Sequence, residues 1–274
     1  MLLHKLPWIR KYSRTLEMGL QTALEYRVNF AISLVSAIYP IFIQSFLWTA
    51  IYDASPETEL YGYTYRQIIM YTFLAGLVAR LVYTGFEYDI MDDVKNGKFS
   101  KFLVQPIGYF PYRIANFFGQ KIPSMILILI ILAVILLGLN AFWGISVTFS
   151  RILLFLMTIA LALVLNFLIF YSLSAMAFWL VEVGFLFEGF RIVVVLLSGG
   201  IFPLEVFGPH FVQITNWLPF KYTVNYPINV LNGRLPTDEV GYGMLTQCAW
   251  IVICTLIATR LWRVGSRRYV AVGG

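Results

Sequence analysis

The chain has 274 residues, is 59% hydrophobic and only 12% charged, and carries a formal charge of +6, whereas an ordinary soluble domain is about 25% charged. A soluble fold of this size has too little interior for so much apolar side chain, so a soluble enzyme or nucleic-acid-binding domain is excluded. The apolar residues come in runs of about twenty, the length a helix needs to cross a hydrocarbon core of about 30 Å, and not in alternating ten-residue segments, which excludes an outer-membrane barrel.

From the amino terminus, Lys5 to Arg27 does not read as a signal peptide, because Arg10, Lys11, Arg14, Glu17 and Glu25 interrupt any apolar stretch. Tyr12, Leu16, Leu20 and Leu24 recur every four residues, extended by Trp8 and Ile9, with Lys11 and Arg14 off the stripe. That spacing predicts an amphipathic helix lying in the membrane interface. A first span follows from Val28 to Tyr52, then an acidic, turn-rich segment to Thr64 and a second span from Tyr65 to Tyr88. The longest charged connection, residues 89–121, carries Asp92, Asp93, Lys95, Lys98, Lys101 and Arg113.

The third span is Ile122 to Leu139 and the fourth Ile152 to Leu180, separated by a short turn. Glu182, Glu188 and Arg191 make a polar break before a short fifth run, Ile192 to Phe202. Pro203, Pro209, Pro219 and Pro227 then prevent one continuous helix; Pro209 to Leu218 is expected as a small amphipathic helix, and residues 199–240 as an outer re-entrant segment. The last span, Tyr242 to Trp262, precedes a basic tail at 263–274. The expected fold is all-α: one polytopic membrane domain over residues 28–262 with six transmembrane helices, no linker or internal repeat dividing it, and the interfacial helix in residues 1–27.

Orientation follows from the cations. With the amino terminus inside, fifteen of the twenty Lys and Arg residues fall on inner segments, and only Arg66, Arg151, Lys221 and Arg234 fall outside. The positive-inside rule therefore places both termini in the cytoplasm and accounts for the basic charge without nucleic acid.

Chemistry-bearing motifs are sparse. The Gly97-Lys98 pair is followed by Phe99 and lacks the upstream glycine of a phosphate loop, so no nucleotide site or other cofactor site is expected in this chain. His4 and His210 fall on opposite sides of the expected membrane and cannot share a metal. Cys248 and Cys254, six apart in one apolar run, point in different directions on a helix and do not suit a disulfide. Arg80 and Glu87, seven apart, would share a helical face, and Glu188 and Arg191 would pair at i,i+3. No intramembrane Asp, Glu and His chain exists to relay protons, so transport would draw its energy from another subunit. The segment from Asp89 to Arg113 suits that docking, combining charge with Phe99, Phe102 and Leu103 as a short apolar face for a partner to bury.

The run from Asp93 to Pro106, Asp-Val-Lys-Asn-Gly-Lys-Phe-Ser-Lys-Phe-Leu-Val-Gln-Pro, resembles the cytoplasmic segment of ABC-2 type exporter permeases. Leu197-Ser198-Gly199-Gly200-Ile201-Phe202-Pro203-Leu204, then Trp217 to Tyr222 and Asn232-Gly233, is similar to their outer re-entrant segment. The resemblance implies a permease that pairs with an identical or paralogous subunit in the plasma (bacterial inner) membrane, among its lipids. It would be driven by separate ATP-binding cassette ATPases, which hold the ATP and magnesium. It further implies a coupling helix within Asp89 to Pro106, so that Asp92, Asp93, Lys95, Lys98, Phe99, Lys101, Phe102 and Leu103 are candidate ATPase contacts. A path at the dimer interface would draw on Phe42, Phe46, Arg80, Tyr83 and Phe202, with Phe30, Tyr39 and Phe86 also available, and would suit an amphipathic molecule, a drug or a peptide. The competing readings are an intramembrane enzyme acting on lipids, with Glu182, Glu188, Arg191 or His210 in its site, and a non-transporting scaffold.

Overall fold

The computed structural model describes residues 7–25, 27–144, 147–180 and 182–269. Lys5, His4 and the last five residues of the basic tail lie outside the described residues, as do the side chains of Trp8, Ile9 and Phe30. Eleven α-helices are present among the described residues. The first five are α1 Pro7–Glu25, α2 Arg27–Asp53, α3 Tyr65–Val82, α4 Phe86–Lys95 and α5 Ser100–Val104. They are followed by α6 Tyr109–Trp143, α7 Phe149–Ser174, α8 Gly184–Leu197, α9 Pro209–Asn216, α10 Asn225–Leu231 and α11 Thr237–Ser266. A two-residue hairpin, β1 Glu59–Leu60 with β2 Tyr63–Thr64, joins α2 to α3.

Helix boundaries follow local chemistry. Thr64 caps α3 by accepting from the Gln67 amide while the Gln67 side chain accepts from the Thr64 amide, a reciprocal pair that satisfies two otherwise orphaned donors. Pro209 opens α9 at the position where a missing amide costs nothing, as the proline pattern leads one to expect. Helix α6, at 35 residues, starts thirteen residues before the expected third span; at 1.5 Å per residue it is about 52 Å long, so it runs well beyond a hydrocarbon core of about 30 Å.

Two helices are central. Thirteen residues of α7 are buried, around much of its circumference, which is the signature of a helix enclosed by others. Its first half packs with α3, Trp48 of α2, and Ile228 and Leu231 of α10; its second half packs with Phe86, Phe99, Phe117 and Trp262. By contrast α6 and α11 turn apolar side chains outward, including Ile130, Val134 and Leu137 on one and Leu245, Val252 and Leu256 on the other. Four stretches are long and apolar enough to cross a membrane among the described residues: Tyr65–Lys95, Tyr109–Gly138, Phe149–Phe178 and Asp238–Ser266.

The second expected span is not continuous. α3 stops at Val82, and α4 restarts at Phe86 after the break Tyr83-Thr84-Gly85. Arg80 and Glu87 therefore do not share a helical face, contrary to expectation. The charged connection of residues 89–121 is also mostly helical, divided among α4, α5 and the start of α6.

The chain alternates between two ends. At one, Phe99 packs with Tyr109, Phe178, Trp262 and Tyr269, gathering the approach to α5, the start of α6 and the ends of α7 and α11. At the other, the Tyr52 hydroxyl donates to the Tyr63 carbonyl at 2.6 Å, Tyr63 donates to Glu205 at 3.1 Å, and Arg151 Nη1 donates to the Leu235 carbonyl at 2.7 Å. These bonds gather the hairpin, the start of α7 and the approach to α11. Burial pushes the Tyr63 hydroxyl well above the usual phenol range, which keeps it a donor to Glu205.

Candidate functional site

The unit α4-α5 hangs on two buried anchors. Asp93, at the end of α4, accepts from the Tyr109 hydroxyl at 2.8 Å and from Arg113 Nη2, while Arg113 Nε donates to the same Tyr109 oxygen at 3.0 Å. The Asp93 and Arg113 side chains are 10% and 7% exposed. A pair this enclosed holds only because its polar atoms are satisfied, here with the help of Asp89, which accepts from Arg113 Nη1 at 3.3 Å. The second anchor is Phe99, 4% exposed, with its ring 5.0 Å from Tyr109 and 5.1 Å from Tyr269 between centroids. Between them Gly97 takes φ +73°, a conformation open to glycine, and turns the chain from α4 into α5.

Helix α5 itself has no buried residue. Phe102 lies against Tyr109 and Tyr112 with centroids 4.7 and 4.9 Å away, and Lys101 sits over the Phe102 ring. Leu103 and Val104 are 60% and 84% exposed. The expected apolar face thus divides: Phe99 faces this chain's own core and is not available to a partner, whereas Leu103 is presented outward with Val104, which the sequence reading did not single out.

The charged residues divide similarly. Lys98 and Asp92 pair on the surface, and the Asp92 carboxylate holds the Lys98 ammonium above its ordinary range. Lys95 bonds Glu182 at 2.9 Å across to the α7-α8 connection. Asp93 is an internal brace. Of the eight expected contacts, Asp92, Lys95, Lys98, Lys101 and Leu103 lie on the surface, Phe102 is half-buried, and Asp93 and Phe99 are interior.

A second polar assembly clamps the break between α3 and α4. Asn166 of α7 donates to the Val82 carbonyl at 2.6 Å, and Arg191 of α8 donates to the Thr84 carbonyl at 3.1 Å. The main ionic partner of Arg191 is the fully buried Glu87, not Glu188; its contact with Glu188 is 3.9 Å. The i,i+3 pairing is therefore secondary, because Tyr88 donates to Glu188 and draws that carboxylate aside. Arg191 is 13% exposed at its side chain, so Glu182, Glu188 and Arg191 do not form one solvated turn. Tyr83 lies beneath three cations, with Arg191, Arg80 and Lys121 at 4.4, 5.4 and 5.8 Å from its ring centre.

The other expected path residues are strung along the molecule. Phe42 and Phe46 lie on an uncovered stripe of α2 that also includes Ile32, Val35 and Tyr39, at alternating spacings of three and four. Phe202 packs edge-on to Trp48, 5.9 Å away. No group of His, Cys, Asp and Glu able to hold a metal is present among the described residues; His210 stands on α9, and both cysteines are free.

The family model described as ABC-2 family transporter protein matches residues 38–273, which includes α5, the clamp and the segments before α11. Comparisons with curated proteins and with solved structures find no match. A helical membrane protein whose buried anchors hold out a short helix with an apolar tip agrees with that match across most of its length, and the chain belongs to the ABC-2 transporter family.

Proposed function

We propose that this chain is the permease subunit of an ATP-binding cassette exporter in the plasma membrane. It crosses the bilayer six times, with α2 and α8 added to the four longer stretches, both termini in the cytoplasm, and α1 lying at the inner interface. The residues between α8 and α11 form the outer re-entrant segment. ATP and magnesium are held by separate ATPase subunits. The observation that carries this reading is α5: Leu103 and Val104 are exposed on a helix braced from behind by Phe99 and the Asp93-Arg113 pair. Exposed apolar side chains on a rigid support are what a partner's pocket takes up as an anchor.

The coupling path follows from the bonds. A push on α5 reaches α6 through Asp93-Arg113, reaches α8 through Lys95-Glu182, and reaches the α3-α4 break through Glu87-Arg191. These ties turn a nucleotide-driven movement into displacement of α8 against α3. The outward stripe of α2 is the face for a second permease subunit, identical or paralogous, and the cargo moves between the two. Arg80 beside Tyr83, with Lys121 close by and Arg191 already paired to Glu87, makes the inner end of that path more charged than its aromatic residues suggest, and favours an amphipathic cargo with an anionic group.

A photo-crosslinking amino acid at Val104, in a chain co-expressed with its cognate ATPase, tests the docking. An ATPase adduct is expected at position 104 and none from the outward position Leu245. Equal adducts at both positions, or none at 104, would contradict it.

A further inference from the structure

At the end opposite α5, a cavity of about 920 Å³ opens between α11 and the chain that precedes it. That volume falls in the range of small-molecule sites. Its mouth carries charges of both signs: Lys221 and the Glu205-Arg234 pair on one wall, Asp238 and Glu239 from the first turn of α11 on the other. Asp238 and Glu239 make no ion pair among the described residues, and Lys221 bonds only the neutral side-chain oxygen of Asn216 there. The nearest carboxylate acting on Lys221 is Glu205, which is already paired with Arg234 and makes no ion pair with Lys221, so the half-buried ammonium retains capacity for an anion. Trp217, 84% exposed, borders the same mouth.

Along α11 the lining becomes largely apolar, while Asn225 and Asn229 contribute polar groups from the preceding chain. Thr246, Trp250 and Ile253 follow one face of α11 at spacings of four and three. Tyr226 forms the facing wall; it fits because Gly243 has no side chain, since a Cβ there would come within 2.2 Å of the Tyr226 ring. From Asp238 to Ile253 the face is about 22 Å long at 1.5 Å per residue, comparable to one leaflet with its headgroup zone, about half of a 40–45 Å bilayer.

A cavity that is zwitterionic at the mouth, aromatic at its rim and apolar along its shaft matches one amphiphile. We propose that it binds an amine-bearing zwitterionic phospholipid. Its phosphate sits on Lys221, its ammonium against Asp238 and Glu239 beside the Trp217 ring, and an acyl chain along Thr246, Trp250 and Ile253. The cation is held by charge and by the ring face together. This site is at the far end of the molecule from α5, so it stands or falls independently of ATPase docking.

The test reconstitutes the full chain in vesicles of equimolar phosphatidylethanolamine and phosphatidylglycerol, re-extracts it gently, and measures the co-purifying lipids by mass spectrometry. The wild type is expected to retain phosphatidylethanolamine over phosphatidylglycerol by about threefold. Asp238→Asn with Glu239→Gln is expected to bring that ratio close to one, and Lys221→Glu to lower retention of both lipids. Thr246→Trp, which fills the shaft, is expected to reduce retained phosphatidylethanolamine while gel filtration and thermal midpoint stay at wild-type values. A wild-type ratio equal to the bulk, or a preference for phosphatidylglycerol, overturns the proposal whatever the variants do. An enrichment unchanged in both headgroup variants overturns it as well.

Discussion

Phe99 and Val104 stand five positions apart, yet one is 4% exposed and the other 84%. Hydropathy does not separate them; the difference arises because Gly97 turns the chain so that Phe99 meets Tyr109, Phe178, Trp262 and Tyr269. Three of those four rings come from two distant parts of the sequence, which is why the apolar and charged character of the segment was legible but its inside and outside were not. Phe99→Ala is expected to cost about 3–5 kcal/mol, the usual cost of emptying a large aromatic site, and to lower the thermal midpoint. Leu103→Ala with Val104→Ala should change stability by less than about 0.5 kcal/mol per residue while weakening ATPase association. For Asp93→Ala the expected loss is about 1–3 kcal/mol, because the enclosed Arg113 loses its main partner and keeps only Asp89, 3.3 Å away, and Tyr109; Asp92→Ala, in the surface pair, should leave the midpoint unchanged. Equal shifts for Asp92 and Asp93 would show that the Asp93 brace is not internal.

Among the elements, α1 is the one whose surroundings the sequence read least completely. Its four-residue stripe was visible, but only Tyr12, Leu16 and Leu20 are partly covered, while Leu24 is 55% exposed. Two glycines set the packing: a Cβ on Gly119 would come within 2.2 Å of the Leu16 carbonyl oxygen, and one on Gly19 within 2.4 Å of that of Asn116. Close backbone approach of this kind is how small residues join helices in a bilayer. Gly119→Val should therefore prise α1 from α6 and open the Arg10 to Arg14 region to trypsin, with the remaining helices still inserted. Unchanged protection would mean that α1 is held elsewhere.

The α3-α4 break was not legible either, because no proline marks it; its carbonyls are satisfied by Asn166 and Arg191, 84 and 107 residues away. Arg191→Ala removes the Thr84 and Glu87 contacts together. Faster amide exchange at residues 83–88 is expected, and exchange identical to the wild type would contradict the clamp.

For the whole molecule, composition alone shows a helical membrane protein, and the long apolar runs locate most of the crossings. It does not show that α3 and α7 are enclosed while α6 and α11 face outward, since all four are apolar and only packing distinguishes them. Nor does hydropathy alone make α8 a crossing: at 14 residues it is about 21 Å long, short of a hydrocarbon core. The two-ended architecture predicts that cysteines placed at Leu103 and Tyr242 react with a membrane-impermeant maleimide from opposite faces of sealed vesicles, the first from the cytoplasmic side. Labelling of both from one face would refute the proposed topology.

In the proposed function a separate ATPase works on this chain through the tip of α5. This action is tested most directly by ATP hydrolysis of the cognate ATPase in proteoliposomes, measured with wild-type chain and with Leu103→Asp combined with Val104→Asp. The wild type is expected to alter the hydrolysis rate, and the doubly substituted chain, inserted to the same level and equally stable, to leave it at the rate of the ATPase alone. Wild-type control of hydrolysis by the doubly substituted chain would contradict it.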